Sequence, residues 1–302
     1  MVKGIFLIVS AFASATVIFA QHSLPLSMPD VSLSPLRSMI DVQLESRLRK
    51  ELQANPEWSK MVRQKKLAVG LVDLREPDKA RFARINGNEM MYAASLPKIA
   101  ILLAVMDAFE KGEVEETDTV LEDLHKMICY SNNQASTRMI DLVGYDKIAQ
   151  VLTDERYRLY DEDNHGGLWV GKRYAASGPR NPDPIKGLSH AATVSQVCRY
   201  YYLLAMGQLV SPERSRQMLD ILVDPALHHK FVNTLDQVHP DAKIFRKSGS
   251  WKVYHCDSVL VWGDDPEHRY ILVAMAEHEN GEQIIRQMVH VAEKALDIQE
   301  VD

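Results

Sequence analysis

Strand-like runs stand at the two ends of this chain, and a long helical section separates them. Near the N-terminal end, Leu67-Ala68-Val69-Gly70-Leu71-Val72-Asp73-Leu74 is a short apolar run, and Ala80 to Ile85 alternates ahead of the turn Asn86-Gly87-Asn88. Near the other end, Ser258 to Trp262 and Tyr270 to Ala276 are strand-like and joined by the turn-rich bridge Gly263-Asp264-Asp265-Pro266-Glu267. Between them, about Leu96 to Leu235, the clearest segments have helical spacing: Ile99 to Glu110, Gln134 to Leu142, Lys147 to Leu152 and Thr193 to Met206. Ser38 to Ala54, with Ile40, Leu44 and Leu48 on one face, and Gln283 to Ile298 read as helices outside the strands. The plan is α/β (α+β): an antiparallel sheet with terminal helices over 38–90 and 236–302, and an inserted all-α lobe over 91–235. A cleft is expected where the two meet. With 302 residues and 46% hydrophobic composition, the chain can bury the core this requires.

The first residues have a different character. Met1-Val2-Lys3 is followed by an uncharged apolar and small-residue run from Gly4 to Ala20, the pattern of a secretory signal over 1–20, with cleavage expected after Ala20 and an uncleaved anchor as the competing reading. No Cys follows the run to accept a lipid, and Gln21 to Arg37, rich in Ser, Pro and Leu, reads as a linker. The catalytic part is then periplasmic or secreted, with no membrane contact beyond the signal segment. A formal net charge of −6 lacks the basic excess that nucleic acid or anionic lipid selects, so a small-molecule or peptide substrate and a monomer are expected. Cys129, Cys198 and Cys256 are too scattered for a disulfide framework or a CxxC metal site and read as small buried residues. None of the 11 histidines forms a metal set: His228 and His229 are adjacent and diverge on a helix, and His255-Cys256-Asp257 lacks a second cluster. No metal and no cofactor are expected.

Three short motifs carry chemistry. In Ser95-Leu96-Pro97-Lys98, a helix starting at about Ser95 puts the hydroxyl and the amine on one side, and a lysine desolvated in a cleft can accept the proton of a serine nucleophile. In Tyr130-Ser131-Asn132-Asn133, a hydroxyl and a side-chain amide two residues apart can pass a proton to a leaving nitrogen and hold a substrate carbonyl, although Ser and Asn there also suit helix capping. In Lys247-Ser248-Gly249, set in a strand-like stretch, a cation can attract a carboxylate and the glycine admits a close backbone approach.

In this order the motifs make the sequence resemble the class A β-lactamases and penicillin-binding proteins, whose set is Ser-x-x-Lys, Ser-Asp-Asn and Lys-Thr-Gly or Lys-Ser-Gly. The resemblance runs from about Ser38 to the C-terminus and implies a β-lactamase/transpeptidase-like fold. It implies Ser95 as the acylated nucleophile and Lys98 as its proton acceptor or relay. It further implies Ser131 as proton donor to the leaving nitrogen, Asn133 on a substrate amide carbonyl, Lys247 and Ser248 on its carboxylate beside Gly249, and the backbone N–H groups of Ser95 and Ser250 as the oxyanion hole.

Departures from the family pattern bear on the substrate and on deacylation. Asn132 stands where lactamases carry Asp, and the stretch between Ser95 and Ser131 is short for them. The loop pattern Glu-x-x-Leu-Asn, whose glutamate hydrolyses the acyl-enzyme, is absent, and Glu162 or Asp163 in the run Arg158 to Trp169 are the acidic candidates near its place. Trp169 and Tyr174 either line the cleft or pack the loop. The expected activity is β-lactamase-like hydrolysis of a β-lactam or related amide through an acyl-enzyme on Ser95. The alternatives are a D-alanyl-D-alanine carboxypeptidase and a penicillin- or muropeptide-binding sensor without turnover.

Overall fold

The computed structural model describes residues 23–26 and 35–298. The signal segment expected over 1–20 lies outside the described residues. After a 3₁₀ turn (Leu36–Met39), α1 (Val42–Gln53) and α2 (Pro56–Arg63) lead into β1 (Leu67–Asp73) and β2 (Arg81–Ile85). The middle of the chain holds β3 (Met91–Tyr92), α3 (Lys98–Glu110), α4 (Asp118–Cys129), α5 (Asn133–Thr153), four short strands and three helices. Those strands are β4 (Tyr160–Asp161), β5 (Gly166–Gly167), β6 (Trp169–Val170) and β7 (His190–Ala192), and the helices are α6 (Val194–Ala205), α7 (Pro212–Leu222) and α8 (Phe231–Val238). β8 (Lys243–Trp251), β9 (Tyr254–Trp262), β10 (Arg269–Glu277) and α9 (Gly281–Leu296) complete the described chain.

The five long strands form one antiparallel sheet in the order β2-β1-β10-β9-β8, so the two ends of the chain meet at its centre, with Leu67 opposite Ala276 and Asp73 opposite Tyr270. Because side chains alternate across a strand, β1 feeds two cores. Leu67, Val69 and Leu71 pack with Leu44 and Leu48 of α1 and Met288 of α9. Ala68 and Val72 face α6 and the lobe, in a core that includes Val197, Tyr201 and Ile101. Complete burial of Leu44, Leu48 and Leu52 is worth roughly 1.5–3 kcal/mol per side chain, which is what holds the amphipathic α1 on the sheet.

Polar residues set where the helices begin. Asp41 Oδ1 accepts the N–H groups of Gln43 and Leu44, each at 2.9 Å, at the start of α1. Asn55 caps α2, with Pro56 following it, and Thr117, Thr193 and Ser211 cap α4, α6 and α7. Gly144, at φ 78°, interrupts α5 between the two helical runs expected from sequence.

Two expected boundaries shift. The division at 235/236 falls inside α8, whose Phe231, Val232 and Leu235 belong to the core beneath the terminal helices and not to the lobe. The lobe itself has no separate core, since its helices share one with the sheet, and this fixes the cleft between them. Part of the expected linker is packed: Leu26 is buried and its N–H donates to Ala205 O at 2.7 Å, and Leu36 is buried. Among the described residues no helix is long and apolar enough to cross a membrane, and no cluster of His, Cys, Asp or Glu could hold a metal ion. The three cysteines are buried and unpaired.

Candidate active site

A cleft of about 820 Å³ opens where the lobe meets β8, and Ser95, Asn133 and Ser250 all line it. Ser95 sits on the turn between β3 and α3. The helix starts at Lys98, not at Ser95 as the sequence suggests, and Lys98 N–H donates to Ser95 O at 3.2 Å in an i→i+3 turn. Such a turn eclipses side chains three apart, so the hydroxyl and amine still share a side. Ala94, just before Ser95, is held at φ 48°, a left-handed conformation that costs an ordinary residue energy and tends to cluster at functional sites.

The second motif divides its labour. Asn132 caps α5, its Oδ1 accepting Ala135 N–H at 2.8 Å, so the capping role falls to this residue. Asn133 opens the helix with its Oδ1 accepting from Lys98 Nζ at 2.9 Å. Ser131, at φ 55°, lies between two amines: its carbonyl accepts from Lys98 Nζ at 2.7 Å, and its Oγ lies 3.4 Å from Lys98 Nζ and 3.0 Å from Lys247 Nζ.

Burial pushes the Lys98 ammonium down to a pKa of about 7, well inside the range where it is partly neutral at physiological pH. A neutral amine has two hydrogens, which the carbonyl oxygens of Ser131 and Asn133 take. Its lone pair is then left for a hydroxyl. Burial and the neighbouring Lys98 depress Lys247 as well.

The third motif lies on β8, the edge strand of the sheet. Lys247 and Ser248 are buried, and Lys247 Nζ also reaches Ser248 O at 3.0 Å. In an extended strand residues two apart send their peptide groups to the same side, so the Ser250 N–H points the way the Ser248 carbonyl does, the side on which Lys247 Nζ meets that carbonyl, and Ser250 lines the cleft. Gly249 is required by space: a Cβ there would stand 2.3 Å from Ala93 O and 2.8 Å from Leu96 N, on the backbone of the turn that carries Ser95.

Sequence reasoning missed Lys230. Fully buried at the start of α8, it donates to Gly249 O at 2.6 Å, Ser250 Oγ at 2.7 Å and Cys256 O at 3.0 Å, and so braces β8 from behind. Burial lowers its pKa. Its loop is tied down by a buried ion pair: Arg246 Nε meets Asp257 Oδ1 at 2.7 Å, and the same guanidinium holds Leu227 O at 2.8 Å and His229 O at 3.2 Å. Asp257 Oδ2 accepts Phe231 N–H at 3.1 Å. No motif marks a lone lysine after His228-His229.

The remaining wall is aromatic. Tyr174 donates its hydroxyl to Ala94 O at 3.1 Å, and its ring lies 4.5 Å from Lys98 Nζ. His190 stacks on Tyr174 with centroids 4.3 Å apart. Because a carbonyl can only accept, His190 Nε2–H donates to Lys172 O at 3.0 Å, leaving Nδ1 to accept from Ser189 Oγ at 3.1 Å. Burial holds this imidazole neutral, with a pKa down at about 4. Of the two aromatic residues the sequence left open, Tyr174 lines the cleft, whereas Trp169 is buried with its Nε1–H on Asn181 O at 2.8 Å.

Glu162 and Asp163 lie elsewhere. They occupy an exposed 3₁₀ turn (Glu162–Asn164) between β4 and β5, away from the cleft, and among the described residues lining the cleft none is acidic. The β4–β5 hairpin turns them to solvent, so proximity in sequence to the missing loop pattern does not bring a carboxylate to Ser95.

Taken with this geometry, the comparisons define the class: the model of the beta-lactamase enzyme family matches residues 47–123 and 115–298, and the chain belongs to that family. Among solved structures it is similar to a beta-lactamase from Sphaerobacter thermophilus, at 20% identity and a TM-score of 0.65, covering 84% of this chain and 98% of that one. It is also similar to PBP-A, at 19% identity and a TM-score of 0.62, covering 86% and 98%. A PBP-A variant solved as an acyl-enzyme complex with penicillin G matches at 19% identity and a TM-score of 0.62, covering 88% and 100%. These likenesses establish the β-lactamase/transpeptidase-like fold. No curated protein sequence matches the chain.

Proposed function

We propose that this protein is a serine hydrolase that opens an amide bond, a β-lactam or a related amide, by forming an acyl-enzyme on Ser95. The observation that carries the reading is the bonded array of Lys98, Ser131 and Lys247, joined through Asn133 to the cleft that Ser95 lines. In this mechanism Ser95 Oγ attacks the carbonyl carbon and gives its proton to neutral Lys98. The oxyanion is met by the N–H groups of Ser95 and Ser250. As the C–N bond breaks, the proton passes through Ser131 Oγ to the leaving nitrogen. Asn133 orients the acyl amide, and Lys247 and Ser248 receive the carboxylate on the leaving side. An N-terminal segment of secretory character supports work in the periplasm or outside the cell.

Turnover in this reading is slow. Among the described residues lining the cleft none is acidic, and the Tyr174 ring covers one side of Lys98, which closes that side of the amine to an incoming water. These observations favour a carboxypeptidase or a sensor over a fast lactamase. Time-resolved intact mass of the signal-free protein with a chromogenic β-lactam tests both statements. A lasting adduct on Ser95 is expected; rapid product with no adduct overturns slow turnover, and no reaction at all overturns β-lactam recognition.

Two further results are expected. Acylation requires neutral Lys98, which is protonated below its pKa of about 7. The acylation rate should therefore rise about tenfold per pH unit between pH 5 and about 7 and level off above. A flat profile, or one falling with pH, removes Lys98 as the base. Tyr174→Ala should shorten the life of the adduct by about tenfold or more, towards the ~10²–10⁴ that a positioned base supplies. Tyr174→Phe, which keeps the ring and loses only the bond to Ala94 O, should leave that lifetime close to wild type. Equal lifetimes in all three proteins would mean the ring is not the barrier.

A further inference from the structure

The rim of the cleft carries a charge that the reaction itself does not call for. The chain has 41 acidic against 35 basic side chains, yet among the described residues the cleft is lined by Lys172, Arg173, Arg180 and Lys252 and by no carboxylate. Arg173 is neutralised by Asp141 at 2.5 Å. Among the described residues the others are not tied to an acid: Lys172 Nζ reaches a loop carbonyl, Ala176 O, at 3.3 Å, Lys252 lies 6.0 Å from the exposed Trp251 ring, and Arg180 is exposed. Lys172 and Arg180 also face each other across an antiparallel bridge. Like charges directly opposite on paired strands destabilise, so folding alone gives no reason to put two cations there. An anion between them does.

Their position in the cleft says which part of a substrate they meet. In the acyl-enzyme mechanism proposed above, Lys247 and Ser131, bonded at 3.0 Å, mark the end where the amine leaves. The 172–180 loop stands at the other side, where Tyr174 touches Ala94 and Arg173 pairs with α5 behind Asn133. Building on the acyl-enzyme reading above, we propose that the cleft selects acyl donors with a second anionic group on the acyl side, a carboxylate received by Lys172 and Arg180 and steered in by Lys252. The substrate class is an amide carrying at least two carboxylates, one on each side of the bond that breaks.

Two penicillins that share a nucleus test this: benzylpenicillin, and carbenicillin with its additional side-chain carboxylate. Their second-order acylation rates on Ser95 are read by intact mass. Carbenicillin should react roughly three- to tenfold faster at about 20 mM salt, and the ratio should fall towards one at about 0.5 M, where the Debye length is only a few ångströms. The Lys172→Gln/Arg180→Gln protein, shown folded by its thermal midpoint, should bring the low-salt ratio to about one. A wild-type ratio of one or below, or a ratio that survives the double substitution, overturns the second anion site while leaving acylation of Ser95 intact. Acylation by neither penicillin overturns the acyl-enzyme reading, and this inference with it.

Discussion

Replacement of Ser95 by alanine is expected to remove every covalent adduct and to cut the rate of amide opening in the acylation step by on the order of a million-fold, the scale of losing a serine nucleophile whose partners act as a unit. Ser95 is half-buried on a turn, and its removal breaks no packing comparable to a core truncation, so the thermal midpoint should move by no more than about 2 °C. Intact mass and calorimetry on the same sample check both halves. The expected combination is a folded, inert protein. Turnover retained in Ser95→Ala would end the mechanism proposed for this cleft.

The second large effect is on stability. Asp257 and Arg246 are buried together, and each Asp257 oxygen also accepts a backbone N–H, from Ser258 at 3.0 Å and from Phe231 at 3.1 Å. Asp257→Ala leaves the guanidinium without its counter-charge and should cost about 3–5 kcal/mol of unfolding free energy by denaturant titration. Arg246→Met/Asp257→Leu removes both charges and should recover a large part of that loss, because an apolar pair of similar volume has no desolvation cost to offset. Lys230 lies at the end of the loop that Arg246 holds. Acylation in Asp257→Ala should therefore fall further than the fraction unfolded accounts for. A cost below about 1 kcal/mol would show that the pair contributes little to the fold.

Much of this architecture is legible in the chain because it follows from local periodicity. The apolar run from Leu67 to Leu74 predicts a strand, and each face of that strand has its own core. The three motifs are legible because each lies within four residues, and the fold brings Ser95, Lys98, Ser131, Asn133 and Lys247 into one cleft region. What could not be read depends on distant contacts. Strands such as β3 and β6 are two residues long and leave no pattern. Lys230 acquires its position only through the Arg246–Asp257 pair, and Tyr174 and His190 only through the pairing of β6 with β7. Glu162 and Asp163 illustrate the reverse: chemically suitable residues at a suitable distance along the chain, turned to solvent by a two-stranded hairpin.

The sheet order has a consequence for how the molecule is made. β1 emerges early in synthesis, yet its neighbour β10 is the last strand, with Leu67 waiting for Ala276. Pairings so distant in sequence close slowly, because the loop entropy is paid before the contacts that reward it can form. A ribosome carrying most of this polypeptide holds a serine and a lysine with no third wall and no sealed core around them. A truncation before Arg269 should be a protease-sensitive coil with no trace of acylation, so competence arrives in a single step, with the finished chain.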